Sequence, residues 1–185
     1  MNSFYERNEL EQIGFKNVGS NVLISKNASI YGAENISIGN NVRIDDFCIL
    51  SGKIEIGSFI HISAYTGLFA GNAGIKIRDF VTISSRCAIY AISDDYSGEY
   101  MANPMVLDKY RNVDEREVVF DRYSIVGTGT TILPGSIVGE GAAVGCMSLV
   151  KDKLTSYGIF AGVPCKRIGD RKKDFLKYKE YLIKE

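Results

Sequence analysis

The chain has 185 residues, 45% of them apolar and 24% charged, with a formal net charge of zero. These totals fit one soluble globular domain and exclude a global basic field for nucleic acid. No apolar run approaches the roughly 20 residues of a membrane span, and the opening "MNSFYERNELEQ" lacks the apolar core of a signal peptide, so a cytoplasmic protein is expected.

Residues 1–20 read as a helical cap. Ser3 and Glu6 form a capping-box pair, Leu10 and Ile13 give an apolar stripe, and Gly14 stops the helix. From there to residue 168 one period dominates. Aliphatic residues recur every six positions at Ile24 and Ile30, then from Ile38 through Ile44, Leu50, Ile56 and Ile62 to Leu68. After "AGNAG" the phase moves by three residues and resumes at Ile77, Ile83 and Ile89. The last run is Val126, Ile132, Val138, Val144 and Val150, with small residues four later at Thr130, Ser136, Ala142 and Ser148.

A period of six matches neither an amphipathic helix nor a long strand. It matches the hexapeptide parallel β-helix, in which each hexad supplies one short strand and a corner. Three hexads close a triangular coil, and the sixteen or so visible hexads predict about five coils. The glycines after the aliphatics, such as Gly127, Gly139 and Gly145, are expected to relieve the corners. The expected class is therefore all-β.

Residues 93–122 carry no hexad and form a predicted excursion with eight acidic and four basic residues. A long excursion from a rigid coil usually carries function. Residues 169–185 are expected to form a C-terminal helix with Phe175, Tyr178 and Leu182 on one face. From Lys151 onward ten basic residues face five acidic ones, which suits a phosphorylated ligand. The four cysteines (Cys48, Cys87, Cys146, Cys165) form no CxxC pair and read as reduced, buried and structural. No metal site is expected.

The hexads ending in "AAVGCMSLV", followed by "GIFAGVPCKRIGDR", resemble the hexapeptide-repeat acyltransferases, among them galactoside and maltose O-acetyltransferases. "NASIYGAENISIGNNVRIDDFCILSG" and "SDDYSGEYMANPM" are similar to members from surface-polysaccharide clusters. The resemblance implies a left-handed coil, a homotrimer with sites between subunits, acetyl-CoA as co-substrate and a sugar hydroxyl as acceptor. An amine on a nucleotide-linked amino sugar is the alternative acceptor, and a non-catalytic scaffold is the alternative to catalysis. A γ-type carbonic anhydrase would need three histidines around zinc, and the chain has only His61.

A general base is wanted near the operating pH, which is where histidine ordinarily titrates. His61 lies beside the inward Ile62 and so points outward. Asp94 falls where the family carries its catalytic histidine. The expectation is that His61 is the base and Asp94 (or Asp95) orients its ring, with Asp94 itself as the rival base. Tyr65 and Tyr96 would stack on the sugar, and Asp95 and Asn103 would bond its hydroxyls. By the resemblance, the Thr128 amide would face the oxyanion. Cys146 (by its backbone), Lys151, Lys153 and Lys166 would hold the coenzyme, with Arg167 or Arg171 substituting for a family arginine whose place falls on Gly169.

Overall fold

The computed structural model describes residues 3–179, and within them the chain winds into a parallel β-helix with three flat faces. The first face runs from Asn17–Val18 to Lys153–Leu154 and the second from Val22–Ile24 to Gly158–Gly162. The third runs from Ser29–Tyr31 to Leu149–Val150. The faces hold seven, seven and six parallel strands, so there are about seven coils rather than five. The shortfall in the expectation has a plain cause. The strands Asn17–Val18, Val118–Phe120 and Gly158–Gly162 lie outside the aliphatic runs named above, although Val18 and Phe120 stand six before Ile24 and Val126 and Phe160 stands six after Leu154.

The six-residue spacing acts by stacking like on like. On the second face Ile24, Ile44, Ile62, Ile83, Val126, Val144 and Phe160 lie in register, one above the next. On the third face the column is Ile30, Leu50, Leu68, Ile89, Ile132 and Val150. Nearly all of these side chains are buried, and they form one continuous core down the axis. Each coil buries the next one's apolar edge, so stability accrues by neighbour contacts.

The corners differ from the expectation in a specific way. Gly127 and Gly139 do not take left-handed backbone. A Cβ on Gly139 would lie 2.5 Å from the Leu154 carbonyl, and one on Gly127 would lie 2.6 Å from the Cys146 amide. Close approach of the next coil requires these glycines. The left-handed corner positions are mostly filled by larger residues, including Phe59, Phe80 and Tyr123 at φ 59°, 62° and 63°. That conformation costs about 1–2 kcal/mol for a residue with a Cβ. The rings repay part of it by stacking, Phe59 on Phe80 at 4.7 Å and Phe80 on Tyr123 at 5.1 Å between centroids.

Both ends are closed. The helix Arg7–Ile13 buries Leu10 and is stopped by Gly14 in left-handed backbone. Its N-cap is Glu6, whose amide donates to Glu9 Oε2 at 2.7 Å; the expected Ser3 pair does not form. Residues 3–5 are instead held along the first coil: the Lys26 amide bonds the Ser3 carbonyl at 2.8 Å and the Tyr5 amide bonds Ile24 at 2.9 Å. At the far end Cys165–Asp170 turns back from Gly158–Gly162 and pairs with it antiparallel, adding an outermost strand to the second face. Beyond it, Asp174–Tyr178 is a short 3-10 turn that sets Phe175 against Tyr123 at 5.7 Å; Leu182 lies outside the described residues.

The excursion is shorter than the sequence suggests. Val118–Phe120 is a strand of the first face, paired with Ile75–Ile77 and Ile137–Val138, and Phe120 is fully buried. What leaves the coil is a hairpin whose stem pairs Ile92–Ser93 with Asp114–Glu115. The Glu115 carboxylate accepts the Asn72 and Ala73 amides, the latter at 3.2 Å, and so docks the hairpin on the "AGNAG" turn.

Candidate active site

The hairpin stands off the third face and makes one wall of an open groove of about 1190 Å³. Asp94, Asp95 and Tyr96 line it from the excursion, with Asn112 to Arg116 from the returning arm. Tyr90, Thr131, Leu133 and Lys151 line it from the coil. Four carboxylates therefore face two cations, Arg116 and Lys151. One side of such a groove suits a cationic group and the Lys151 side suits an anionic one.

Asp94 stands where the stem opens into the loop. Arg111 donates to its Oδ1 at 3.2 Å and the Asn103 amide to its Oδ2 at 3.4 Å. Its neighbour Asp95 serves the turn: one carboxylate oxygen accepts Ser97 Oγ at 3.0 Å, the Gly98 amide at 3.1 Å and the Tyr100 amide at 3.4 Å. Burial pushes the Asp95 carboxyl up, but the bonds from Ser97, Tyr100 and Gly98 outweigh it and hold the group below its ordinary range. Asn103 also works locally, its Oδ1 accepting the Met105 amide at 2.9 Å, and it is not among the groove-lining residues.

His61 is elsewhere. It sits on the second face, does not line the groove, and its Nε2 donates to Asp45 Oδ2 at 2.8 Å, with Ser63 Oγ 3.4 Å away. The expected pairing of His61 with Asp94 is absent within the chain. The ring is held by Asp45, and Asp94 by Arg111. Asp45 also takes Arg43 at 2.7 Å. Burial raises the Asp45 carboxyl, yet the His61 and Arg43 bonds together bring it below the usual value. The sequence reading missed Asp45 because it lies one coil away from His61. The signal was there in principle, since Arg43 and His61 are facing partners in the column.

The other named residues fall in three places. Tyr65 is stacked on Phe47 at 5.0 Å with Arg86 over its ring, outside the groove. Thr128 lies on a coil corner, where its carbonyl accepts the Met147 amide at 2.8 Å. Lys153, Lys166 and Arg167 are exposed toward the last coil, Arg167 paired with Asp170. Arg171 is instead half-buried, donating to the Tyr123 carbonyl at 2.7 Å and the Gly141 carbonyl at 3.1 Å. Of the basic residues expected to hold the coenzyme, Lys151 alone lines the groove.

All four cysteines are free, but only Cys48 and Cys87 are buried; Cys146 is exposed and Cys165 half-buried. Cys146 follows an aliphatic–glycine corner and points off the coil, so periodicity does not bury it. Among the described residues no cluster of His, Cys, Asp and Glu could hold a metal ion, and no helix is long and apolar enough to cross a membrane.

No protein-family model matches the chain. A curated relative from Escherichia coli, dTDP-4-amino-4,6-dideoxy-D-glucose acyltransferase, is 43% identical over 95% of this chain and 92% of its own length. AntD, an N-acyltransferase from Bacillus cereus solved with dTDP and 3-hydroxybutyryl-CoA, is 50% identical with a TM-score of 0.97, covering 100% of this chain and 98% of that one. A variant of AntD solved with dTDP-4-amino-4,6-dideoxyglucose and coenzyme A is 49% identical, again with a TM-score of 0.97, over 100% and 99% of the two chains. NeuO, a polysialic acid acetyltransferase at 19% identity and a TM-score of 0.57, covering 91% of this chain and 93% of its own, shares the fold alone. Likeness at this level, from the first coil to the last, makes the chain a member of the hexapeptide-repeat acyltransferases and an enzyme of acyl transfer.

Proposed function

We propose that the enzyme transfers an acyl group from coenzyme A to the amine of a nucleotide-linked amino sugar of the dTDP-4-amino-4,6-dideoxyglucose kind. The single observation that carries this reading is the near-full-length similarity to an acyltransferase named for that sugar. The amine thereby takes the place of the sugar hydroxyl expected from the sequence. The groove agrees with the change. The Asp94 carboxylate on the groove wall, with Asp95 beside it and Asp114 paired to Arg116, suits an ammonium better than a neutral hydroxyl.

In this reading Asp94 binds the acceptor's ammonium and takes its proton. The freed lone pair attacks the thioester carbonyl, and the nitrogen then gives up a second proton as the carbon–sulfur bond breaks. The coenzyme leaves as a thiolate that gains a proton. An amine is a better nucleophile than an alcohol, so a carboxylate suffices where an alcohol acceptor needs a stronger base. His61 stays with Asp45 on the second face. In this reading Lys151, which lines the groove, faces the coenzyme phosphates, and Tyr96, 93% exposed at the groove mouth, covers the acceptor. We take the coil as left-handed, the active assembly as a homotrimer, and the compartment as the cytoplasm.

Thiol release from acetyl-CoA, with dTDP-4-amino-4,6-dideoxyglucose as acceptor, tests the function. Turnover with this amine and none with the matching 4-hydroxy sugar is expected. The opposite preference would return the enzyme to O-acylation, and no coenzyme binding at millimolar concentration would leave a scaffold. A sedimentation mass of three chains tests the trimer.

A further inference from the structure

The excursion holds a cation that this chemistry leaves unused. The Arg111 side chain is only 15% exposed, against 52–60% for Arg7, Arg43, Arg78, Arg116, Arg122 and Arg167 in their ion pairs. Withdrawing a guanidinium from water is costly, and removing one partner of a buried pair costs more than the pair contributes. Its donors are not optimally used either. One terminal nitrogen reaches Asp94 Oδ1 at 3.2 Å and the other reaches Asp108 Oδ1 at 3.3 Å, while the buried Nε has no partner. Tight charge-assisted pairs run nearer ~2.7–2.9 Å. A stretched fork shared between two carboxylates is a poor stabilising device but a good spacer.

The spacing explains the placement. Asp94 opens the loop and Asp108 begins the 3-10 turn Asp108–Tyr110 on its returning side. Asp108 is fully exposed, so it tethers the outer end of the fork without entering the groove. At the inner end Arg111 fixes Asp94 Oδ1 while the Asn103 amide fixes Oδ2.

We propose that Arg111 is a positioning residue for acyl transfer. Its guanidinium holds the Asp94 carboxylate at a fixed rotation in the groove wall, so that the acceptor's ammonium meets an anion already in place. This inference rests on the reading that Asp94 takes the acceptor's proton. A lysine would supply charge to one partner without the planar fork that spans both.

The test is steady-state kinetics of Arg111→Ala, Arg111→Lys and Asp108→Asn in the full chain, beside Asp94→Asn, with dTDP-4-amino-4,6-dideoxyglucose and acetyl-CoA. Misplacing a reacting group costs rate at saturation, so Arg111→Ala should lose at least about tenfold in kcat. Arg111→Lys should recover part of that loss, and Asp108→Asn, which keeps an acceptor oxygen for the outer nitrogen and loses only the charge, should cost less kcat than Arg111→Ala. The double variant Arg111→Ala/Asp94→Asn should be no slower than Asp94→Asn, because Arg111 acts through Asp94. An Arg111→Ala enzyme that melts earlier or shows a raised KM but keeps its kcat would overturn the proposal. If that variant does not fold, Arg111→Gln keeps a donor and loses the fork: the same kcat loss supports the proposal and an unchanged kcat overturns it. Should Asp94→Asn be inactive while Arg111→Ala and Arg111→Lys match the native enzyme, only the Arg111 inference falls. Full activity in Asp94→Asn removes the Asp94 reading and this inference with it.

Discussion

His61 and Asp45 are hydrogen-bonded across adjacent coils, 2.8 Å from Nε2 to Oδ2, although sixteen residues separate them in the chain. The pair lies on the second face and the groove on the third, which separates the lone histidine from Asp94 within one chain.

This placement sets opposite expectations for activity and stability. His61→Gln should keep kcat within about threefold, since a general base would be worth on the order of 10²-fold or more. A hundredfold loss would restore His61 as the base. Asp45→Asn should melt earlier than the native protein at neutral pH. The Asp45 carboxyl is held below its unfolded value, so its contribution is present above about pH 4 and is lost as pH falls through the depressed folded value. The difference in melting temperature between native and Asp45→Asn should therefore shrink in acid; a difference that grows would contradict the assigned sign.

Asp94→Asn is the direct test of the acceptor site. The amide keeps the size and one of the two acceptor oxygens but cannot take a proton, so turnover should fall by about 10²-fold or more. Calorimetric titration with coenzyme A should be unchanged, because the loss lies in the acceptor half of the groove.

Two substitutions test the coil register, and a third, Gly98→Ala, is their control outside the coil. Phe120→Ala removes a fully buried ring from a strand inside the segment expected to be a surface excursion, and should cost about 3–5 kcal/mol by denaturant unfolding. Were Phe120 part of a surface loop, the cost would be near zero. Gly139→Val drives a Cβ onto the Leu154 carbonyl and the Ser156 amide, backbone atoms that cannot move aside cheaply. It should cost about 1–3 kcal/mol or more. Gly98→Ala, at φ 85° with nothing within 4 Å of its would-be Cβ, should cost only the backbone strain, about 1–2 kcal/mol.

The thiols should separate by exposure. Cys146 is exposed and should give the fast phase with an aromatic disulfide reagent at pH 8. Burial pushes the Cys48 thiol up to about 11 and also raises Cys87, so both should react only on unfolding. A fast phase that survives Cys146→Ser would place another thiol at the surface.

By itself the sequence determined the coil and its inner surface. A period of six fixes which side chains face inward, so Ile62, Ile132 and Val150 could be assigned to the core without coordinates. The same rule turned His61 outward and buried Cys48 and Cys87. Where the period fails, tertiary structure decided. Phe120 stands six before Val126 but is aromatic and follows a charged, aperiodic stretch, so it is the column offered by its neighbours above and below, Val138 and Ile77, that shows it rejoining the coil. Asp45 reaches His61, and Arg111 reaches Asp94, only because coil stacking and the hairpin stem bring distant residues to hydrogen-bond distance. Periodicity specifies the direction in which a residue points. The partner it meets depends on how the chain returns, and for the aperiodic excursion that return is set by long-range contacts such as Glu115 on the amides of Asn72 and Ala73.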